Sequence, residues 1–116
     1  MISSESSEGK YVFASSNSEY YELELDKDSF ILKNRIQDSK KESLTTILGN
    51  YKHENKKIIL TGTQEINQTI LSSGEQETKE KVYKGSPIRV HIQNKDEKTI
   101  LVLSAFGKIL KLNKSE

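Results

Sequence analysis

The chain has 116 residues, of which 33% are hydrophobic and 30% charged, a size and balance typical of one small domain with a single core. Its 18 Lys and Arg against 17 Asp and Glu give a formal net charge of +1, so the total charge supplies no strong field to attract nucleic acid or an anionic membrane. The absence of cysteine excludes disulfides, thiolate nucleophiles and thiolate metal sites.

The first nine residues, MISSESSEG, are rich in serine and glutamate, with Ile2 the one apolar residue after the start. This composition predicts a disordered N-terminal tether over residues 1–9, a single domain over residues 10–113 and a frayed C-terminus over residues 114–116. The chain has no apolar run long enough for a signal peptide or a membrane-spanning helix.

Alternation of apolar and polar residues predicts the first strands, over residues 10–15, 20–26 and 29–37. In the second and third of these, the apolar side chains fall on one face, which predicts one buried and one solvated side. The inward face of the third strand also carries an amide, Asn34. Residues 38–42 (DSKKE) are polar and predict a solvated loop.

The stretch over residues 43–60, SLTTILGNYKHENKKIIL, predicts a β-hairpin whose turn is His53-Glu54-Asn55. Gly49 precedes Tyr51 by two residues and lies on the same face of the strand. A glycine in this position removes side-chain bulk where a sheet bends sharply or another strand crosses closely. We therefore expect a closed or strongly curved antiparallel sheet.

The second half of the chain alternates between charged and apolar segments. Residues 72–81 (SSGEQETKEK) predict a long mobile loop or hairpin tip, with a helical turn as the alternative. Residues 88–93 predict another strand with one buried side. The continuous apolar run Ile100 to Leu103 predicts a strand that is buried on both faces, and residues 108–112 predict the last strand.

Eight to ten short strands and no secure helix place the chain in the all-β class. Sequential hairpins favour a small antiparallel up-and-down β-barrel, because closure of the sheet removes exposed strand edges. A two-sheet β-sandwich is the alternative architecture.

Three segments carry a resemblance that covers most of residues 9–112: YYELELDKDSFIL, GNYKHENKKIILTG and TILVLSAFGKILKL. In this order they resemble the small lipocalin-like domains of bacterial envelope lipoproteins of the NlpE type. The resemblance implies a lipocalin-like barrel in the cell envelope, lipid-anchored in the full-length form through a cysteine removed from this N-terminus. The family's Cys-x-x-Cys segment is absent, so copper handling is not implied, and Tyr51 stands where the family has tryptophan.

The search for catalytic and metal-binding patterns is negative. His53 lies in a predicted turn and His91 on a predicted outer face, and neither has a second ligand at metal-binding spacing. Asp26-Lys27-Asp28 begins like a calcium loop but lacks the later ligands. No nucleophile elbow, phosphate loop or dinucleotide fingerprint occurs. We expect no enzyme activity, no metal and no cofactor.

The remaining class of function is binding, and the sequence suits two kinds of binding domain. In the first, the barrel carries an apolar small molecule or lipid, and its predicted ligand-binding residues are Tyr21, Leu23, Phe30, Leu32, Asn34, Leu60, Val90, Leu101 and Leu103. The same residues equally suit a packed core. In the second, a solid barrel is a structural or protein-interaction module that meets an envelope partner through an outer face with Lys84, Arg89 and His91. Neither form involves nucleic acid, and membrane contact is expected only through the removed lipid anchor.

Overall fold

The computed structural model describes residues 8–16, 18–96 and 98–114. This part of the chain is built from strands. They are β1 (Gly9–Ser16), β2 (Glu19–Asp26), β3 (Ser29–Gln37), β4 (Lys41–Glu54), β5 (Lys57–Leu71), β6 (Gln76–Val82), β7 (Ile88–Lys95), β8 (Lys98–Ala105) and β9 (Lys108–Lys114). The described residues include no helix long and apolar enough to cross a membrane.

Eight of the strands close into an antiparallel barrel in the order β1-β2-β3-β4-β5-β7-β8-β9. β1 and β9 complete the ring through the pairs Tyr11 with Lys114 and Val12 with Asn113. β6 stands outside the ring, because it pairs with the second half of β5. The prediction of an all-β barrel is confirmed, and the sandwich alternative is wrong.

The core lies inside the barrel and follows the predicted alternation. In β2 and β3, Leu23 and Leu32 are each 0% exposed and face each other across the ladder. Apolar side chains from every strand of the ring fill the interior. The buried hydrophobic residues are Tyr11, Tyr21, Leu23, Leu25, Phe30, Leu32, Ile47, Ile58, Leu60, Val90, Leu101, Leu103, Leu110 and Leu112. The longest dimension of the molecule is 55 Å.

Gly49 lies opposite Gly62, at a shift in the register of the β4–β5 ladder. Leu48 pairs with Gln64 and Gly49 with Gly62, so the residue between the two partners, Thr63, has no counterpart and forms a bulge. A bulge bends its strand and increases the local twist. The structure thus confirms that glycine marks a close strand crossing in a strongly curved sheet.

The prediction of a loop or turn was wrong for three segments, because polar residues in each of them belong to strands. β4 begins at Lys41, inside the segment 38–42 that was expected to be a loop. The turn of the β4–β5 hairpin falls at Asn55 and Lys56, so His53 and Glu54 belong to β4. β6 occupies most of the segment 72–81, which was expected to be mobile or helical. Backbone pairing decides these elements, because a ladder forms between main-chain groups whatever the polarity of the side chains.

Burial also differs from expectation in β8. Leu101 and Leu103 are buried, whereas Ile100 and Val102 are half-buried and point outwards. The continuous apolar run therefore belongs to a strand with one buried side, and its second face lies on the outside of the barrel. At the ends of the chain, Gly9 already belongs to β1 and Lys114 to β9, while the rest of the predicted tether and the last two residues lie outside the described residues, apart from Glu8.

Candidate functional site

The barrel has an incomplete wall at one end, which we call the mouth. β5 pairs with β7 only from Lys57 to Leu60, and further along it pairs with β6 instead. The β7–β8 ladder begins with Val90 and Leu103, so Ile88 pairs with β5 and has no partner in β8. The start of β7 and the end of β8 therefore separate and leave a gap in the wall.

A cavity of about 600 Å³, here named the gap cavity, lies at this gap. Alternate residues of a strand point to opposite faces, so both faces of the sheet contribute to its lining. The barrel interior supplies an apolar wall. It consists of Ile47, Tyr83, Ile88, Leu103, Ala105 and Phe106. The outer face contributes Arg89, His91, Val102, Ser104 and Ile109, and the β6–β7 connection contributes Ser86 and Pro87.

Phe106 reaches the gap cavity from an unusual backbone conformation. Phe106 and Gly107 form the two-residue β8–β9 turn with φ values of 55° and 75°. Positive φ at both positions is the geometry of a type I′ hairpin, which favours Asn-Gly or Asp-Gly, and a bulky residue seldom adopts it. The Phe106 ring lies 6.0 Å from the Tyr21 ring, between centroids. The sequence predicted this turn but not a site there, although an aromatic at the first turn position was a usable signal.

Tyr83 forms the opposite wall of the gap cavity and depends on two glycines. A Cβ atom on Gly62 would lie 2.4 Å from Tyr83 Cδ2, and one on Gly85 would lie 2.3 Å from its hydroxyl oxygen. The Tyr83 backbone N–H donates to the carbonyl of Thr63 at 3.1 Å, which ties this segment to the bulge in β5. Tyr83 was not predicted as a site residue, because a tyrosine beside a charged segment carries no periodic signal.

A line of polar side chains crosses the inner face next to the gap cavity. Ile47, which lines the cavity, pairs with Glu65, and two residues earlier Thr45 pairs with both Asn34 and Asn67. Directly paired residues share a face of the sheet, so this polar row points to the same side as the core. The Thr45 hydroxyl donates to Asn67 Oδ1 at 3.2 Å, and Asn67 Nδ2 donates to Glu65 Oε2 at 2.8 Å. The row thus runs from Asn34 to a carboxylate.

The two ends of the polar row differ in whether their oxygen atoms have partners. Glu65 Oε2 also lies 3.5 Å from Lys81 Nζ, so the carboxylate forms an ion pair with a residue of β6. Asn34 is 7% exposed, and its Oδ1 is buried with no hydrogen-bond partner among the residues that the structure describes. An unsatisfied buried acceptor costs about 1–3 kcal/mol, so it requires a donor such as a water molecule or a bound group.

A second polar group borders the mouth on the side of β2 and β9. The Tyr21 hydroxyl donates to Glu19 Oε1, and Lys108 Nζ makes an ion pair with the same oxygen. The hydrogen bond from Lys108 and then that from Tyr21 lower the pKa of the Glu19 carboxyl. Burial, and then the hydrogen bond to Glu19, raise the pKa of Tyr21. This cluster holds Tyr21 in place between the rings of Phe13 and Phe106.

All the residues predicted to bind a ligand lie inside the barrel, and none is more than 7% exposed. Leu103 is the predicted residue that also lines the gap cavity, and Asn34 belongs to the polar row. Tyr21 borders the mouth beside Phe106. The others are packed in the core, where neighbouring side chains surround them. They are Leu23, Phe30, Leu32, Leu60, Val90 and Leu101. Whether these side chains contact a ligand is not tested by their burial, so the expected contact stays a prediction.

The other side chains considered for catalysis or metal binding do not cluster in the part of the chain that the structure describes. Within residues 8–16, 18–96 and 98–114, no three His, Asp or Glu side chains come together in a group that could hold a metal ion. His53 is exposed, and its Nε2 lies 3.1 Å from the carbonyl oxygen of Asn55 at the β4–β5 turn. His91 is exposed on the outer face of β7, as predicted.

Comparison with known proteins adds no relative: no protein-family model matches the chain, and a search of curated proteins gives no significant match.

Proposed function

We propose that this protein is a non-enzymatic binding domain of the bacterial cell-envelope lipoprotein type, and that it holds a small apolar molecule in the gap cavity. The gap cavity carries this proposal. Its volume of about 600 Å³ falls within the range of ligand pockets, and its inner wall is apolar and aromatic. Because the closed part of the barrel is filled by its own side chains, the ligand is placed at the mouth rather than among Leu23, Leu32 and Leu101.

The envelope location rests on the resemblance of three segments to lipocalin-like lipoprotein domains, and on a Ser- and Glu-rich N-terminus suited to a tether. A barrel gives such a domain a rigid wall, and the β8–β9 turn brings the aromatic ring of Phe106 into the lining of the gap cavity.

Binding is tested with a fluorescent fatty-acid analogue and with the neutral probe N-phenylnaphthylamine. Ala105 lines the cavity, so Ala105→Leu fills part of it and is expected to weaken binding of both probes at least about tenfold. Thr61→Leu is the matched control, since Thr61 is exposed and is not among the residues lining the gap cavity. Native mass spectrometry of the purified protein tests for a copurified apolar molecule.

Saturable binding of both probes that Ala105→Leu weakens and Thr61→Leu preserves supports the proposal. If neither probe binds the native protein, or if both variants bind as it does, the gap cavity is not a ligand site. Melting temperatures of both variants exclude loss of folding as the reason for lost binding.

A further inference from the structure

One outer face of the barrel carries an unbalanced positive charge. It is formed by the outward residues of β7, β8, β9 and the first part of β5, which the registers of three ladders place side by side. We call it the basic face. Its residues are Lys57, Ile59, Arg89, His91, Gln93, Lys95, Lys98, Ile100, Val102, Ser104, Ile109, Lys111 and Asn113.

None of these residues is Asp or Glu. The Lys and Arg side chains of the basic face are exposed, and none takes part in the ion pairs found among the described residues. Two carboxylates of the described chain lie at its border: Glu54, the last residue of β4, pairs with Lys57, and Asp96 lies in the β7–β8 turn. On the opposite side of the barrel, Glu22 lies 4.0 Å from both Lys10 and Lys33. Although the whole chain is nearly neutral, this face therefore carries five formal positive charges that make no ion pair with the described residues.

The basic face also carries apolar side chains, with Val102 towards its centre and Ile109 at its border beside the β8–β9 turn. Ile109 is 75% exposed, the highest value among the exposed large hydrophobic side chains of the described residues. It pairs with Ser104, and Val102 lies between His91 and Lys111 on the two neighbouring strands. Aliphatic side chains ringed by long basic ones can enter the boundary between lipid headgroups and acyl chains while the cations stay at the phosphates.

We infer that the basic face docks on the surface of an anionic lipid bilayer. Protein interfaces are enriched in aromatic residues and depleted in Lys, whereas this face has no aromatic residue and four of its five formal cations are Lys. Nucleic acid attracts basic residues but offers no apolar partner to the exposed side chain of Ile109. An anionic bilayer meets both features, because it attracts each basic residue and also accepts apolar side chains.

This inference differs from two expectations from the sequence: that a net charge of +1 supplies no strong field for an anionic membrane, and that membrane contact occurs only through a removed lipid anchor. It requires no ligand in the gap cavity, since binding to a bilayer surface needs no internal site. The basic face and the outer lining of that cavity nevertheless share Arg89, His91, Val102, Ser104 and Ile109. A peripheral contact of this kind combines electrostatic attraction with limited apolar insertion, two signals that together give measurable binding where either alone is marginal.

The test is cosedimentation of the purified full chain with large unilamellar vesicles of phosphatidylcholine containing about 30 mol% phosphatidylglycerol. Binding is expected at about 0.1 M salt, and it is expected to fall steeply at about 0.5 M salt and on pure phosphatidylcholine. Arg89→Gln with Lys111→Gln is expected to lower the partition coefficient roughly 30-fold, from about 1 kcal/mol per basic residue near the surface. Ile109→Ser is expected to lower it several-fold, because its side chain contributes the most exposed apolar surface.

The matched control is Lys27→Gln with Lys40→Gln. It removes the same total charge from the two exposed turns that flank β3. Retained binding by this control, together with the loss in the basic-face variant, supports docking by this face. Equal losses in the two double variants, or no binding of the native chain to the anionic vesicles, would overturn the inference. Tighter binding to duplex DNA or to an acidic protein under the same conditions would overturn it in favour of that partner.

Discussion

The substitution Gly49→Ala tests the argument that two strands cross too closely at this point for any side chain. A Cβ atom on Gly49 would lie 2.0 Å from the carbonyl oxygen of Thr61 and 2.9 Å from Gly62 Cα. It would also lie 2.9 Å from Phe30 Cε1, in a ring that is 1% exposed. Two of these atoms belong to the backbone and the third to a packed core ring, so the β4–β5 ladder itself must move.

The expected magnitude follows from two opposing contributions. Over-packing of a core typically lowers the free energy of unfolding by about 1–3 kcal/mol. Because the closest contact here is with the backbone, we expect a cost near the upper end, about 3 kcal/mol. Alanine has less conformational freedom than glycine in the unfolded chain, and this difference offsets about 0.5–1 kcal/mol of the over-packing cost. We therefore expect Gly49→Ala to lower the free energy of unfolding by about 2 kcal/mol, which for a domain of this size lowers the melting temperature by about 10 °C.

Urea titration followed by far-UV circular dichroism measures this change, because the chain contains no tryptophan and its signal is that of strands. Asn50→Ala is the matched control: Asn50 is the next residue of β4, is exposed and pairs with Thr61. The control is expected to stay within about 0.5 kcal/mol of the native protein. If Gly49→Ala also stays within that range, the close crossing does not exist and the curvature of the sheet has another cause.

Three further predictions concern polar groups. Asn34→Leu is expected to stabilise the protein by about 1 kcal/mol in urea titration, because it removes a buried acceptor without a partner, and a loss of stability would reveal a bound water or another donor. Glu19 has a lowered pKa in the folded protein, so its stabilising contribution is present above the ordinary value of 4.5 and is lost as the pH falls through the lowered pKa. The urea midpoints of the native protein and Glu19→Gln should therefore converge at acid pH, and a constant difference would exclude this linkage. Burial, then the hydrogen bond to Glu22, raise the pKa of Tyr20 to about 12, so Glu22→Gln should shift this tyrosine's ultraviolet titration to lower pH, and an unchanged titration would contradict the role of the bond.

The sequence by itself determined the all-β class and the inner face of most of the strands that were recognised. Alternation with a period of two is a local property, and it assigned Leu23, Leu32 and Val90 to the interior without knowledge of their partners. The glycine at position 49 was likewise interpretable, because only a missing side chain explains glycine within an apolar strand pattern.

Other features depended on partners distant in the chain. β6 has no apolar alternation, and it is a strand because the second half of β5 offers it a ladder. The gap cavity exists because β5 pairs with β7 over only a few residues, and no local pattern encodes where two ladders stop. Tyr83 and Phe106 acquired their places at the mouth from the same long-range geometry.

The distribution of charge was decided entirely by the tertiary structure. Counting residues gives a net charge of +1, and this number is the same for any arrangement of the chain. Pairing of β7, β8 and β9 brings Arg89, Lys98 and Lys111 onto one face, whereas pairing of β1, β2 and β3 places Glu22 among lysines. Coulomb interactions depend on distance, so the fold, and not the composition, determines which charges compensate each other and which remain available to a partner.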